Sequence, residues 1–148
     1  MMEYLIALLY SQAINIMETL IWVGKPWKLK PPFPFTTHEV KNDGYHLLLS
    51  ILYIAPYLIL YSNRLLLVAE LSLITWLLND VMWHFWSVNP RYYLEWIRFY
   101  FNPHGNQIVW YARFLAAKVA VTPRRMFIVT IIRTGLIVTM LVLTQLAL

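Results

Sequence analysis

An all-helical, polytopic transmembrane bundle is the fold class that this sequence predicts, and three observations predict it. First, 60% of its 148 residues are hydrophobic and only 13% are charged, against roughly 25% charged in soluble domains. A chain of this size cannot hide so much apolar surface from water, and the surplus has to face lipid or a partner. Second, apolar runs of membrane-crossing length recur along the chain: about 20 residues at ~1.5 Å each match a ~30 Å hydrocarbon core. Third, the basic residues gather in the connections between those runs. This excludes an ordinary soluble enzyme, a disordered chain and a nucleic-acid module. The formal charge of +5 flanks apolar runs and builds no soluble basic patch. The absence of cysteine excludes disulfides, thiolate metal sites and thiol nucleophiles. With no internal repeat, residues 1–148 read as a single integral membrane domain.

The first span covers Tyr4 to Val23. It has no basic residue ahead of it and no small-residue cleavage pattern before Gly24, so it reads as a span and not as a secretory signal. Gly24, Pro26, Pro31, Pro32 and Pro34 then stop the helix and make an extended connection. A second span runs from Tyr45 to Tyr61 with Pro56 as a kink, Ser62-Asn63 makes a turn, and a third runs from Leu65 to Trp86. Asn89-Pro90 is a helix start, with Asn as cap and Pro at the first helical position. The stretch Arg91–Phe101 places Arg91, Glu95 and Arg98 on one stripe among aromatics, the pattern of a helix lying in the interface. Ile108–Val121 is apolar but short and carries Arg113 and Lys118; it reads as an interfacial or re-entrant segment, a fifth span being the alternative. Pro123 precedes the last span, Met126 to Leu148. The count is four spans plus interfacial helices.

Orientation follows from the basic residues. Ten of the twelve (Lys25, Lys28, Lys30, Lys41, Arg91, Arg98, Arg113, Lys118, Arg124 and Arg125) fall in the 24–44 connection and the 87–125 region. That side is predicted to be cytoplasmic in a cell membrane, with both termini outside.

An ionisable group at the bilayer centre costs roughly 2.5–3.5 kcal/mol on insertion scales, so each one implies a partner or a task. Ser11, Asn15 and Glu18 share one face of the first span, and Asp80 and His84 stand one turn apart on the third. Threading the spans up and down brings Glu18, Asn79, Asp80, His84 and His46 towards the cytoplasmic boundary, with Arg133 approaching from the last span. Asp80, His84 and His46 are a reasonable first set of ligands for copper or zinc, to which His38 or His104 adds a further contact. The competing readings are a structural salt bridge of Arg133 with Asp80 or Glu18, Asp80 being favoured by depth, and a haem b held by His46 and His84. Glu70 lies deep in the third span and apart from this cluster; it reads as a neutral carboxyl bonded within the bundle, a proton-relay member or a subunit contact.

The run Asn79-Asp80-Val81-Met82-Trp83-His84-Phe85-Trp86-Ser87-Val88 resembles the stretch around a metal site in the C subunit of copper membrane monooxygenases, with a spacing that departs from the family's own. The resemblance implies a copper-binding transmembrane helix in a multi-subunit oxidase, with Asn79 or Asp80 and His84 as ligands. Three function classes follow for the chain. It is a membrane subunit with a His/carboxylate metal site in a larger, redox-active complex of other membrane subunits. Alternatively, it is a stand-alone metal-dependent enzyme on lipid headgroups, with Glu18 or Asp80 as base. The third class is a non-catalytic accessory subunit whose polar cluster is purely structural.

Overall fold

The computed structural model describes residues 2–33, 44–114 and 117–146, side chains excepted at 46, 110, 112–118 and 146. Four longer helices dominate it: α1 (Met2–Trp22), α2 (Gly44–Tyr61), α3 (Leu65–Met82) and α6 (Pro123–Leu146). Between α3 and α6 come two short helices, α4 (His84–Ser87) and α5 (Tyr93–Tyr100), and two strands, β1 (Trp110–Phe114) and β2 (Ala117–Val121).

Among the described residues three helices are long and apolar enough to cross a membrane: Met2–Trp22, Leu65–Ser87, in which α4 continues α3, and Pro123–Gln145. The apolar part of α2, Leu47–Tyr61, is shorter. Pro56 sits inside α2 and removes one hydrogen-bond donor there. Outward faces are rich in exposed aliphatics, such as Leu9, Leu20, Ile59, Ile132 and Val142. Water would penalise such faces and hydrocarbon would not.

Inward faces show why the helices meet. Along α2, Tyr45, Leu49, Tyr53 and Tyr57 recur every fourth residue and form one stripe. Tyr53 and Leu49 pack with Ile14 of α1, while Tyr57 packs with Ala7 of α1 and with Leu67, Val68 and Leu71 of α3. On α3, Ser72, Thr75 and Asn79 follow the same face and are buried. Asn15 meets Asn79 and Glu3 meets Arg64, so α1 and α3 run parallel. Tyr45 meets Glu18 and Tyr57 meets Thr75, so α2 runs antiparallel to both. Arg133 meets Asp80 and Thr144 meets Glu70, so α6 runs antiparallel along α3. The start of α1 and the end of α6 therefore share one end of the bundle.

The opposite end carries a small cap with its own core of Phe33, Val88, Trp96, Tyr100, Val109 and Met126. Burial pushes the Tyr100 phenol well above its ordinary range, which keeps its hydroxyl a neutral bonding group. Asn89 caps the turn Pro90–Tyr92 by accepting from the Arg91 N–H at 3.1 Å, as the Asn-Pro signal predicts. The segment after α1 is stitched to α4: Trp27 N donates to Trp86 O at 2.7 Å, Leu29 N to Ser87 O at 3.0 Å, and Asn89 N to Leu29 O at 2.9 Å.

The stretch Ile108–Val121, expected as an interfacial or re-entrant segment with a fifth span as the alternative, forms among its described residues no helix that could be that fifth span. It holds an antiparallel hairpin with Trp110 opposite Val121 and Arg113 opposite Lys118. Val109, Trp110, Tyr111, Phe114, Val119 and Val121 are β-branched or aromatic, and that composition favours a pleated surface over a helix.

Candidate functional site

The polar residues of the spans sort into two centres near the cap and one near the termini. The first is a relay from α1 through α3 to α2. Asn79, which is 1% exposed, donates from Nδ2 to Asn15 Oδ1 at 2.7 Å and to Glu18 Oε2 at 2.7 Å. Its Oδ1 accepts from the Tyr53 hydroxyl, and the other Glu18 oxygen, Oε1, accepts from the Tyr45 hydroxyl. Trp22 Nε1 donates to the Tyr45 oxygen at 3.0 Å and meets its ring edge-on. The relay extends through Gln12, whose Oε1 accepts from Trp86 Nε1 at 2.9 Å and from Asn15 Nδ2 at 3.5 Å. Glu18 and Asn79 thus have both ends of their polar groups engaged.

In the second centre, the Arg133 guanidinium forms an ion pair with Asp80, and its carbon lies 3.8 Å from the centre of the Trp76 ring. Charge pairing and a ring face together hold a cation that apolar surroundings would otherwise reject. Asp80 also lies within electrostatic reach of Glu18 and Tyr53, so the two centres form one polar region across α1, α2, α3 and α6.

His84 stands beside them at the start of α4 and is 4% exposed. Its Nδ1 lies 2.6 Å from the Val81 carbonyl. A carbonyl only accepts, so Nδ1 carries the hydrogen, and in the neutral ring Nε2 presents a lone pair. That Nε2 is buried and has no hydrogen-bond partner among the described residues. Phe85 and Tyr93 flank the ring, with centroids at 4.2 Å and 5.9 Å.

Of the other expected metal ligands, His46 opens α2 at the same end of the bundle, and its side chain lies outside the described residues, as does the whole of His38. His104 is exposed in the turn after α5, where its N–H donates to Asn102 Oδ1 at 3.0 Å. Among the described residues no three His, Asp or Glu side chains are arranged to hold a metal ion. Glu70 belongs to the third centre, near the termini: it is buried, its Oε2 accepts from Thr144 Oγ1 at 2.6 Å, and the Tyr4 phenol bears on the same carboxyl.

Sequence reasoning did not find Tyr45, Tyr53, Gln12, Trp22 or Thr144 as members of these networks. The signal for the tyrosines was present, since their four-residue recurrence sets hydroxyl tips along one face of α2. Comparison of the chain with protein-family models, curated proteins and solved structures finds no match.

Proposed function

We propose that this chain is an integral membrane subunit that crosses the bilayer four times, α2 being the fourth crossing, with the cap in the cytoplasm and both termini outside. Its polar region acts as a structural clamp of a non-catalytic accessory subunit in a larger membrane assembly. The observation that carries this reading is the engagement of the carboxylates: Asp80 by Arg133, and Glu18 on both oxygens by Tyr45 and Asn79. A carboxylate that serves as metal ligand or general base is turned towards its target, and here both carboxylates are turned onto donors and a cation of the bundle itself. The exposed aliphatics of α6, among them Ile131, Leu136 and Leu143, leave room for lipid or a neighbouring subunit.

A second reading is favoured by one atom. The buried Nε2 lone pair of His84, set by an Nδ1–H bond to a backbone carbonyl, has the form of a metal-ligating histidine with its orienting contact. With His46 at the same end, it supports a subunit that carries copper, zinc or a haem b. The resemblance of Asn79–Val88 to the copper monooxygenase C subunit points the same way.

Elemental analysis and an absorption spectrum of the purified chain separate the two. The clamp reading expects no stoichiometric transition metal, and a lowered melting temperature in Asn79→Ala. Stoichiometric copper, zinc or haem in the unmodified protein, lost in His84→Ala and kept in Trp83→Phe, would replace the clamp with the metal-bearing subunit.

A further inference from the structure

The cap end of the bundle combines exposed cations with exposed apolar rings in a pattern that neither water nor a protein core accounts for. Lys25, Lys28, Lys30, Arg91 and Arg98 are exposed there, with Glu95 as the exposed carboxylate among the described residues of this end. The backbone pairing of Leu29 with Val88 brings the lysine segment alongside the end of α4, directly ahead of the turn that holds Arg91. Leu29 packs inward on the cap core, while its neighbours Lys28, whose Nζ donates to the Val23 carbonyl at 3.1 Å, and Lys30 stay exposed on the other side of an extended segment.

Large apolar groups lie in the same region. Trp27 is 49% exposed, Phe85 41% and Leu94 70%. Trp27 is fixed there: its indole N–H donates to Phe85 O at 2.9 Å, and the Tyr93 hydroxyl donates to the same carbonyl at 2.7 Å. Leu94 lies four residues before Arg98, so α5 presents the two on one face, opposite the buried Trp96 and Tyr100, and Arg91 stands in the turn just ahead of that helix. Cations beside half-exposed aromatics and a leucine match the boundary where lipid phosphates meet acyl chains.

We propose that this face binds anionic phospholipids, with Lys28, Lys30 and Arg91 taking the phosphate groups and Trp27 and Leu94 seated at the acyl boundary. The inference rests on the reading that the chain is embedded in a bilayer. A solvated basic surface without lipid selectivity would not need the apolar members, and a site for free phosphate would not need them either.

The test uses the full chain reconstituted in phosphatidylcholine vesicles, with flotation as the first readout. Spin-labelled phosphatidylglycerol and phosphatidylcholine then report the relative association of the two lipids. The expected result is a preference of roughly fivefold or more for phosphatidylglycerol at low salt. It should shrink towards unity at about 1 M sodium chloride. The Lys28→Gln, Lys30→Gln, Arg91→Gln triple variant should lose the preference, and Arg124→Gln with Arg125→Gln should keep it. Equal association of the two lipids, or a preference untouched by the triple change, would overturn the proposal. So would displacement of the lipid by inorganic phosphate beyond the effect of chloride at equal ionic strength. A chain that does not float overturns the membrane reading and this inference together, whereas one that floats without a preference overturns the inference alone.

Discussion

Arg133 sits ten residues into α6, about 15 Å along the helix axis from Pro123. Its charge is tolerable because Asp80 and the Trp76 face meet it. Replacing Arg133 with Leu leaves the carboxylate without its cation, and because the Asp80 side chain is 39% exposed a loss of about 1–2 kcal/mol in unfolding free energy is expected, below that of a fully buried pair. Adding Asp80→Leu removes the stranded charge, and the double variant should recover more than half of that loss in detergent unfolding. A double variant no more stable than the single one would show that the pair is not coupled. Asn79 is the second residue on which much depends. Asn79→Ala strips partners from Asn15, Glu18 and Tyr53 at once and should cost roughly 1–3 kcal/mol, read as a fall in melting temperature. Tyr53→Phe removes only one of those bonds and should cost less.

At the scale of elements, the junction of the cap with α6 is the tightest place. A Cβ on Gly105 would lie 2.7 Å from the Pro123 Cβ, and the Gly105 carbonyl accepts from Arg124 N at 3.0 Å. Gly105→Val should therefore displace the start of α6 and cost roughly 1–3 kcal/mol. Gly135 is the contrast, because a methyl group added there would meet nothing within 4 Å. Gly135→Ala should leave stability unchanged or raise it by up to about 1 kcal/mol. Unfolding of the two variants side by side checks both. The elements also differ in how readable they were. The long helices declare themselves because apolar length needs no tertiary information, and the Asn89-Pro90 start is a local signal. The 110–121 hairpin was not legible, since its Leu115-Ala116-Ala117 centre favours a helix while its flanks favour strands. The partners in the polar region were half legible. Charges in an apolar run are conspicuous, but Tyr45 and Tyr53 look like ordinary interface aromatics until α2 is rotated against α1 and α3.

For the whole molecule, the up-down order sets the termini together at one end and Lys28 and Arg98 at the other. If the basic cap is cytoplasmic, single cysteines replacing Lys28 and Arg98 should resist an impermeant thiol reagent added to intact cells and react after permeabilisation. A cysteine at Asn63, in the turn between α2 and α3, should react in both cases. The chain has no cysteine of its own to confuse the reading. Labelling of the Lys28 position from outside would invert the orientation.

The parallel course of α1 and α3 has a consequence for how the protein is made. Asn15 and Glu18 emerge from the ribosome with α1, yet their partner Asn79 is some sixty residues behind them. If the helices enter a bilayer in chain order, Asn15 and Glu18 are without Asn79 until α2 has turned back and α3 has arrived. The last helix inherits the reverse situation. With the same order of entry, Arg133 would meet Asp80 already in place, so α6 would join the bundle as one half of a pair and not as a lone cation. On that order of entry, assembly of these helices is a timed rendezvous, in which α1 depends on a helix made after it and α6 meets a partner made before it.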